Sequence, residues 1–95
     1  MTEAAQLLQQ TKDLLTQTTN GAYLLDARGY TCPYPQLFAR AAFGLVEKGT
    51  RLEILTDNPS SCENVPVSVR NLGQKFVGVE SVSPGLWRIV VQKVR

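Results

Sequence analysis

From Ala22 onward the chain alternates strand-like and helix-like stretches, then closes on two strand-like runs in succession. That order leaves few ways to fold. Ala22 to Asp26 (AYLLD) reads as a short apolar strand, and Pro35 to Lys48 as a helix stopped by Gly49. Arg51 to Thr56 alternates, with Leu52 and Ile54 on one side and Arg51 and Glu53 on the other. Asn58-Pro59 breaks that strand. Ser60 with Glu63 then fits a capping box for a third helical stretch that ends near Leu72-Gly73, with Pro66 inside it. Lys75 to Val82 and Leu86 to Val94 are β-rich, and Ser83-Pro84-Gly85 between them marks a hairpin. Strand–helix–strand connections give parallel pairing through right-handed crossovers, and the closing hairpin gives an antiparallel pair. The expected fold is an α/β (α+β) two-layer sandwich, βαβαββ, with a mixed four-stranded sheet and two helices on one face.

An extra helix is expected ahead of this unit. Across residues 3–18, Ala4, Leu7, Leu8, Leu14 and Leu15 fall on one stripe, with Thr2 placed to cap the start and Asn20-Gly21 to stop the end. The chain thus divides into an N-terminal amphipathic extension, 1–21, and a main domain, 22–95. An isolated helix of this length is marginal in water, so its leucines must pack on something. Three surfaces are available: the open face of the sheet, the Phe43 side of the second helix, or a second copy, which would make a homodimer through residues 3–18. Packing within the chain or a homodimer is favoured over an unstructured tail. On the second helix, Leu37, Phe38, Ala41, Ala42 and Leu45 form the expected core stripe, and Phe43 projects from nearly the opposite side.

Composition narrows the chemistry. Ninety-five residues bury one modest core, and 43% hydrophobic with 19% charged residues is ordinary globular composition. No run is apolar enough for a membrane span and the N-terminus has no signal-peptide pattern, so a cytoplasmic protein with no membrane partner is expected. A net charge of +2 without clustered basic residues gives no reason to expect direct nucleic-acid binding. The chain has no histidine and two cysteines. That excludes histidine acid–base catalysis and Cys–His dyads, and leaves too few thiolates for a zinc site. Cys32 and Cys62 are also too far apart in sequence for a CxxC redox motif.

Ligands of such sheets sit beyond the carboxyl ends of the parallel strands, where the loops are 27–34 and 57–61. The first contains Cys32-Pro33-Tyr34-Pro35. Two prolines in three residues fix the path into the second helix and leave the N–H groups of Tyr34 and Gln36 to face an anion. Cys32 therefore falls at or just before a helix N-terminus, where the dipole favours a thiolate, and Arg28 is close enough in sequence to assist. A rigidly presented thiolate without a histidine base suits sulfur exchange. The plainer reading is a buried structural cysteine, and the prolines, loop position and helix start weigh against it.

The supporting residues carry plain readings too. Asp57 suits a turn cap at Pro59-Ser60, Gly29 supplies backbone freedom, and Arg28 is either a surface arginine or an anion contact. Cys62 has three readings: an apolar filler, a second sulfur acceptor, or a resolving thiol. A helix N-terminus would lower its pKa as well.

The segment Leu25-Asp26-Ala27-Arg28-Gly29-Tyr30-Thr31-Cys32-Pro33-Tyr34-Pro35 resembles the opening signature of the TusA/SirA-like sulfur-carrier family, L-D-x-R-G-x-x-C-P-x-P. Thr56-Asp57-Asn58-Pro59 is similar to the family's D-x-P element, and Pro66 to its next proline. The likeness spans about residues 23–95. It implies a βαβαββ fold related to the C-terminal domain of translation initiation factor three. It implies that Cys32 carries sulfane sulfur as a persulfide, with Arg28, Gly29, Pro33, Pro35, Asp57 and Pro59 in support. It further implies a sulfur-donor protein of cysteine desulfurase or rhodanese type, an acceptor protein, and no cofactor. The N-terminal helix and Cys62 depart from the family's short form. The rival readings are a thiol redox or regulatory protein cycling Cys32 and Cys62 through a disulfide, and a nucleic-acid-binding module suggested by fold analogy.

Overall fold

The structure is a computed structural model that describes residues 3–18, 21–31 and 33–95, with backbone alone for residues 3–5. Its elements are α1 (Glu3–Leu14), β1 (Leu15–Gln17), β2 (Tyr23–Asp26), α2 (Tyr34–Phe43), β3 (Arg51–Thr56), α3 (Ser61–Asn71), β4 (Lys75–Ser83) and β5 (Leu86–Gln92). The strands form one sheet in the order β1-β2-β3-β5-β4. β2 and β3 are parallel, and the other neighbouring pairs are antiparallel. This is the expected mixed sandwich, enlarged by one edge strand.

Strand alternation settles the core. Leu25 pairs with Ile54, and Ile54 with Ile89; Leu52 pairs with Val91. All five are fully buried, together with Phe38, Val65 and Val69 from α2 and α3. Each such side chain contributes roughly 1.5–3 kcal/mol of transfer free energy. On the opposite side of the sheet, Arg88 lies 2.9 Å from Glu80 and 3.4 Å from Glu53.

The N-terminal segment differs from expectation in three ways. Its helix stops at Leu14, and Leu15–Gln17 turn into a strand antiparallel to β2. The free edge of β2 offers backbone partners that a further helical turn could not use. A tight turn closes the pair: Thr18 N–H and Oγ1 both donate to the Ala22 carbonyl, at 2.7 and 3.0 Å, and Gly21 adopts φ +80. Secondly, Leu8 is exposed, and the inward residues are Leu7, Thr11 and Leu14. Thr11 is fully buried because its hydroxyl donates to the Leu7 carbonyl at 2.7 Å. Thirdly, α1 packs on α2 and touches β2, and Leu7 and Leu14 lie against the cluster that contains Phe43. Within the chain, α1 therefore packs on α2, one of the surfaces considered. Thr2, Ala4 as a side chain and Asn20 lie outside the described residues.

That cover rotates the buried face of α2. Phe43 is 4% exposed, and Phe38, Ala39, Ala42 and Val46 are buried with it, whereas Leu37 is 36% exposed. A helix packed on one side only would have buried Leu37; a second helix on its flank buries Phe43. α2 is also shorter than Gly49 suggested. At Gly44 and Leu45 the N–H groups reach back three residues, to Ala41 and Ala42, which tightens and ends the α-helix. Gly49, at φ +91, turns the chain into β3.

Candidate functional site

The loops after β2 and β3 meet at the carboxyl ends of these parallel strands. Gly29 N–H reaches both Asp57 carboxylate oxygens, each at 3.1 Å, although the residues are 28 apart in sequence. Gly29 has φ +84, a conformation glycine adopts without steric cost, and a Cβ there would meet no neighbour, so the backbone angle alone calls for glycine. Asp57 thus joins the two loops and does not cap its own turn. Asn58 caps that turn instead. Its Oδ1 accepts the Ser60 N–H at 3.0 Å, and its own N–H donates to Thr56 Oγ1 at 3.1 Å.

Arg28 is exposed and committed to Asp26 through two side-chain hydrogen bonds of 2.8 Å. These bonds hold the Asp26 carboxyl below its ordinary range, over the opposing effect of partial burial; the Arg28 N–H adds a weaker bond. The same pairing, with Asp57 contributing at longer range, raises the Arg28 guanidinium. Arg28 therefore serves the loop's own carboxylate in this arrangement.

The backbone on either side of position 32 is hydrogen-bonded. Tyr34 N–H donates to the Thr31 carbonyl at 2.9 Å and Leu37 N–H to the Pro33 carbonyl at 3.1 Å. The Tyr34 donor is thereby used within the turn and does not face outward. Pro33 occupies the cap position of α2 and Pro35 is buried in its first turn. Thr31, Pro33 and Tyr34 are exposed, so both neighbours of residue 32 lie at the surface. Cys32 itself lies outside the described residues. Tyr30 anchors the loop from inside: its ring meets Phe38 edge-on with centroids 4.8 Å apart, and Tyr34 lies 6.2 Å from both rings. Sequence reasoning did not single out Tyr30, because a loop residue packed on a helix leaves no periodic signal.

Pro59 and Cys62 sit at the start of α3. Pro59 is exposed, and its carbonyl accepts the Cys62 N–H at 3.1 Å. The expected capping box does not form: Ser60 has helical backbone angles and no side-chain cap bond. The first bonds, from Ser61 to Asn58, Cys62 to Pro59 and Glu63 to Ser60, are instead three-residue turns. Cys62 is half-buried, and burial first, then the Glu63 charge, push its thiol above the ordinary value. This reverses the lowering expected from the helix dipole.

Among the described residues no cluster of carboxylates and thiols is suited to a metal ion. A groove of about 210 Å³ runs between α2 and α3, lined by Gln36, Leu37, Arg40, Ser68, Asn71 and Leu72. A larger cleft of about 510 Å³ lies at the start of β2 and β3, bounded by Gly21, Ala22, Gly49, Thr50, Arg51 and Glu53, at the pole away from the two loops.

The family described as Sulfurtransferase TusA matches residues 23–93. A "Putative sulfur carrier protein" of Thermotoga maritima is 35% identical over 72% of this chain and 86% of its own length. Another of the same description, from Archaeoglobus fulgidus, is 39% identical over 75% and 92%. The "Putative sulfur carrier protein YedF" of Escherichia coli K12 is 35% identical over 75% and 91%. The crystal structure of a SirA-like protein from Desulfitobacterium hafniense superposes with a TM-score of 0.67, covering 76% of this chain and 97% of that one; at 23% identity it speaks to the fold alone.

Proposed function

The chain belongs to the sulfurtransferase TusA family, and on that premise we propose that it is a sulfur carrier in which Cys32 holds sulfane sulfur as a persulfide. The observation that carries the reading is the frame around position 32: Pro33 and Pro35 at the start of α2, the Tyr34 N–H closed onto Thr31, and Gly29 tied to Asp57. Such a frame suits the presentation of a single thiol at position 32. The thiolate of Cys32 attacks the terminal sulfur of a donor persulfide. A new S–S bond forms, the donor's own S–S bond breaks, and the donor leaves as a thiolate. Delivery repeats the exchange with an acceptor thiolate as attacker. The transferred sulfur keeps its oxidation state, and because Cys32 attacks as the thiolate the exchange itself calls on no histidine base.

Cys62 is ill suited to that exchange. With its thiol pushed up by burial and Glu63, it is a poor nucleophile near neutral pH. The reading therefore assigns loading to Cys32, with Arg28, Gly29, Pro33, Pro35, Asp57 and Pro59 as the scaffold. Donor proteins of cysteine desulfurase or rhodanese type, and an acceptor protein, would approach over the exposed side chains of Tyr34, Leu37 and Val67 on α2 and α3. Residues 22–95 form the carrier domain and 1–21 its N-terminal extension. Because Leu7 and Leu14 are used inside the chain, the reading calls on no second copy. The proposed setting is the cytoplasm, where thiols stay reduced; among the described residues no helix is long and apolar enough to cross a membrane.

The test is mass spectrometry after incubation with glutathione persulfide. The parent chain and Cys62→Ser gain the mass of one sulfur atom, and Cys32→Ala does not. Equal loading of Cys32→Ala would overturn the assignment.

A further inference from the structure

The geometry points to Asp57 as a positioning residue for the thiol at position 32, acting through Gly29 as a fixed hydrogen-bond acceptor and independently of its charge. This rests on the carrier reading above. Gly29 is three residues before Cys32, and its left-handed backbone angle sets the direction in which the loop leaves β2. Among the described residues its N–H has one partner residue, the Asp57 carboxylate, reached by both oxygens at 3.1 Å. Asp57 is itself fixed at the end of β3, the strand paired in parallel with β2. One register lower, the Ala27 N–H donates to the Leu55 carbonyl at 2.9 Å. The Asp57 bond thus extends the ladder past the end of the strands by one side-chain rung, and carries the order of the sheet into the loop. Tyr30, the next residue, drops its ring onto Phe38 and fixes the loop from below. The chain between Gly29 and Pro33 is then held at both ends.

Acceptor geometry and charge make opposite demands on two variants. Asp57→Asn keeps an oxygen at the same reach and removes the charge. Asp57→Glu keeps the charge and moves the oxygens one methylene further out. Positioning predicts that Asp57→Asn stays within about two-fold of the parent in both persulfide loading rate and Cys32 alkylation rate at neutral pH. It predicts that Asp57→Glu and Asp57→Ala fall roughly ten-fold in both. All variants are made in the Cys62→Ser background, and their fold is checked by circular dichroism. Hydrogen exchange at the Gly29 amide should accelerate in Asp57→Ala and Asp57→Glu only. Parent-like rates in Asp57→Glu with slow rates in Asp57→Asn would show that charge is what matters and overturn the proposal, as would parent-like rates in Asp57→Ala. If Asp57→Ala does not fold, the Asn and Glu pair decides alone. If the parent takes up no sulfur, the carrier reading fails, and alkylation and amide exchange still decide the role of Asp57.

Discussion

The ring of Tyr30 stands edge-on to that of Phe38, with centroids 4.8 Å apart and planes at 84°. One residue belongs to the loop before position 32 and the other is fully buried in the core. The loop that carries the proposed chemistry is therefore fastened to the hydrophobic centre two residues from its key thiol. Edge-to-face pairs contribute about 0.5–1.5 kcal/mol beyond their buried area. Tyr30→Phe should behave as the parent, whereas Tyr30→Ala should lose about 1–3 kcal/mol in urea unfolding and slow sulfur loading. Parent-like loading in a folded Tyr30→Ala would remove the anchoring role.

The two cysteines should separate by pH. Burial and Glu63 raise the Cys62 thiol, so in a Cys32→Ala background its alkylation should inflect above the ordinary thiol range. Glu63→Gln removes the smaller of the two causes and should lower that inflection without restoring the ordinary value. An inflection below the ordinary range would mean that the helix start dominates after all.

Acid should weaken the Asp26–Arg28 pair in a definite window. The Asp26 carboxyl is depressed in the folded chain. Its stabilising contribution is therefore present above the unfolded value, and is lost as pH falls through the lower folded value. Asp26→Asn should show a flatter acid limb in thermal unfolding than the parent. Because both side chains are substantially exposed, added salt should shrink the difference. A parent and variant with superimposable acid limbs would contradict this.

Phe43 should behave as a core residue whose cover is α1. Phe43→Ala should cost about 3–5 kcal/mol by chemical denaturation. Deleting residues 1–17 should lower the thermal midpoint and uncover a binding site for an apolar dye. A truncated chain that melts like the parent would show the cover to be dispensable.

Most of the sheet was legible because alternation is a local signal: Leu52 and Ile54 inward with Arg51 and Glu53 on the other side, and a hairpin at Ser83-Pro84-Gly85, hold in the structure. What stayed hidden depends on partners distant in the chain. Leu15 continues a helical stripe, yet the open edge of β2 draws it into a strand. Phe43 looks misplaced until a second helix lies across it. Ser60 and Glu63 have the spacing of a capping box, but Asn58 organises the turn first. The loop prolines and Cys32 were readable as a motif. The Asp57–Gly29 bond was not, because two residues 28 apart that meet only across adjacent strands leave no periodic trace.

Sheet order also dictates how the molecule comes into being. β5, the last strand in the chain, lies in the interior of the sheet between β3 and β4. A growing chain can close the β1–β2 turn early, but β3 keeps an unpaired edge until residues 86–92 arrive. The apolar positions of β3 then find Ile89 and Val91 across the intervening segment 57–85, which holds α3 and β4. Pairing along that edge of β3 therefore requires residues 86–92. A chain cut short of β5 would expose the edge of β3 for pairing with other molecules, while the loop at position 32 would have no finished sheet to hold it.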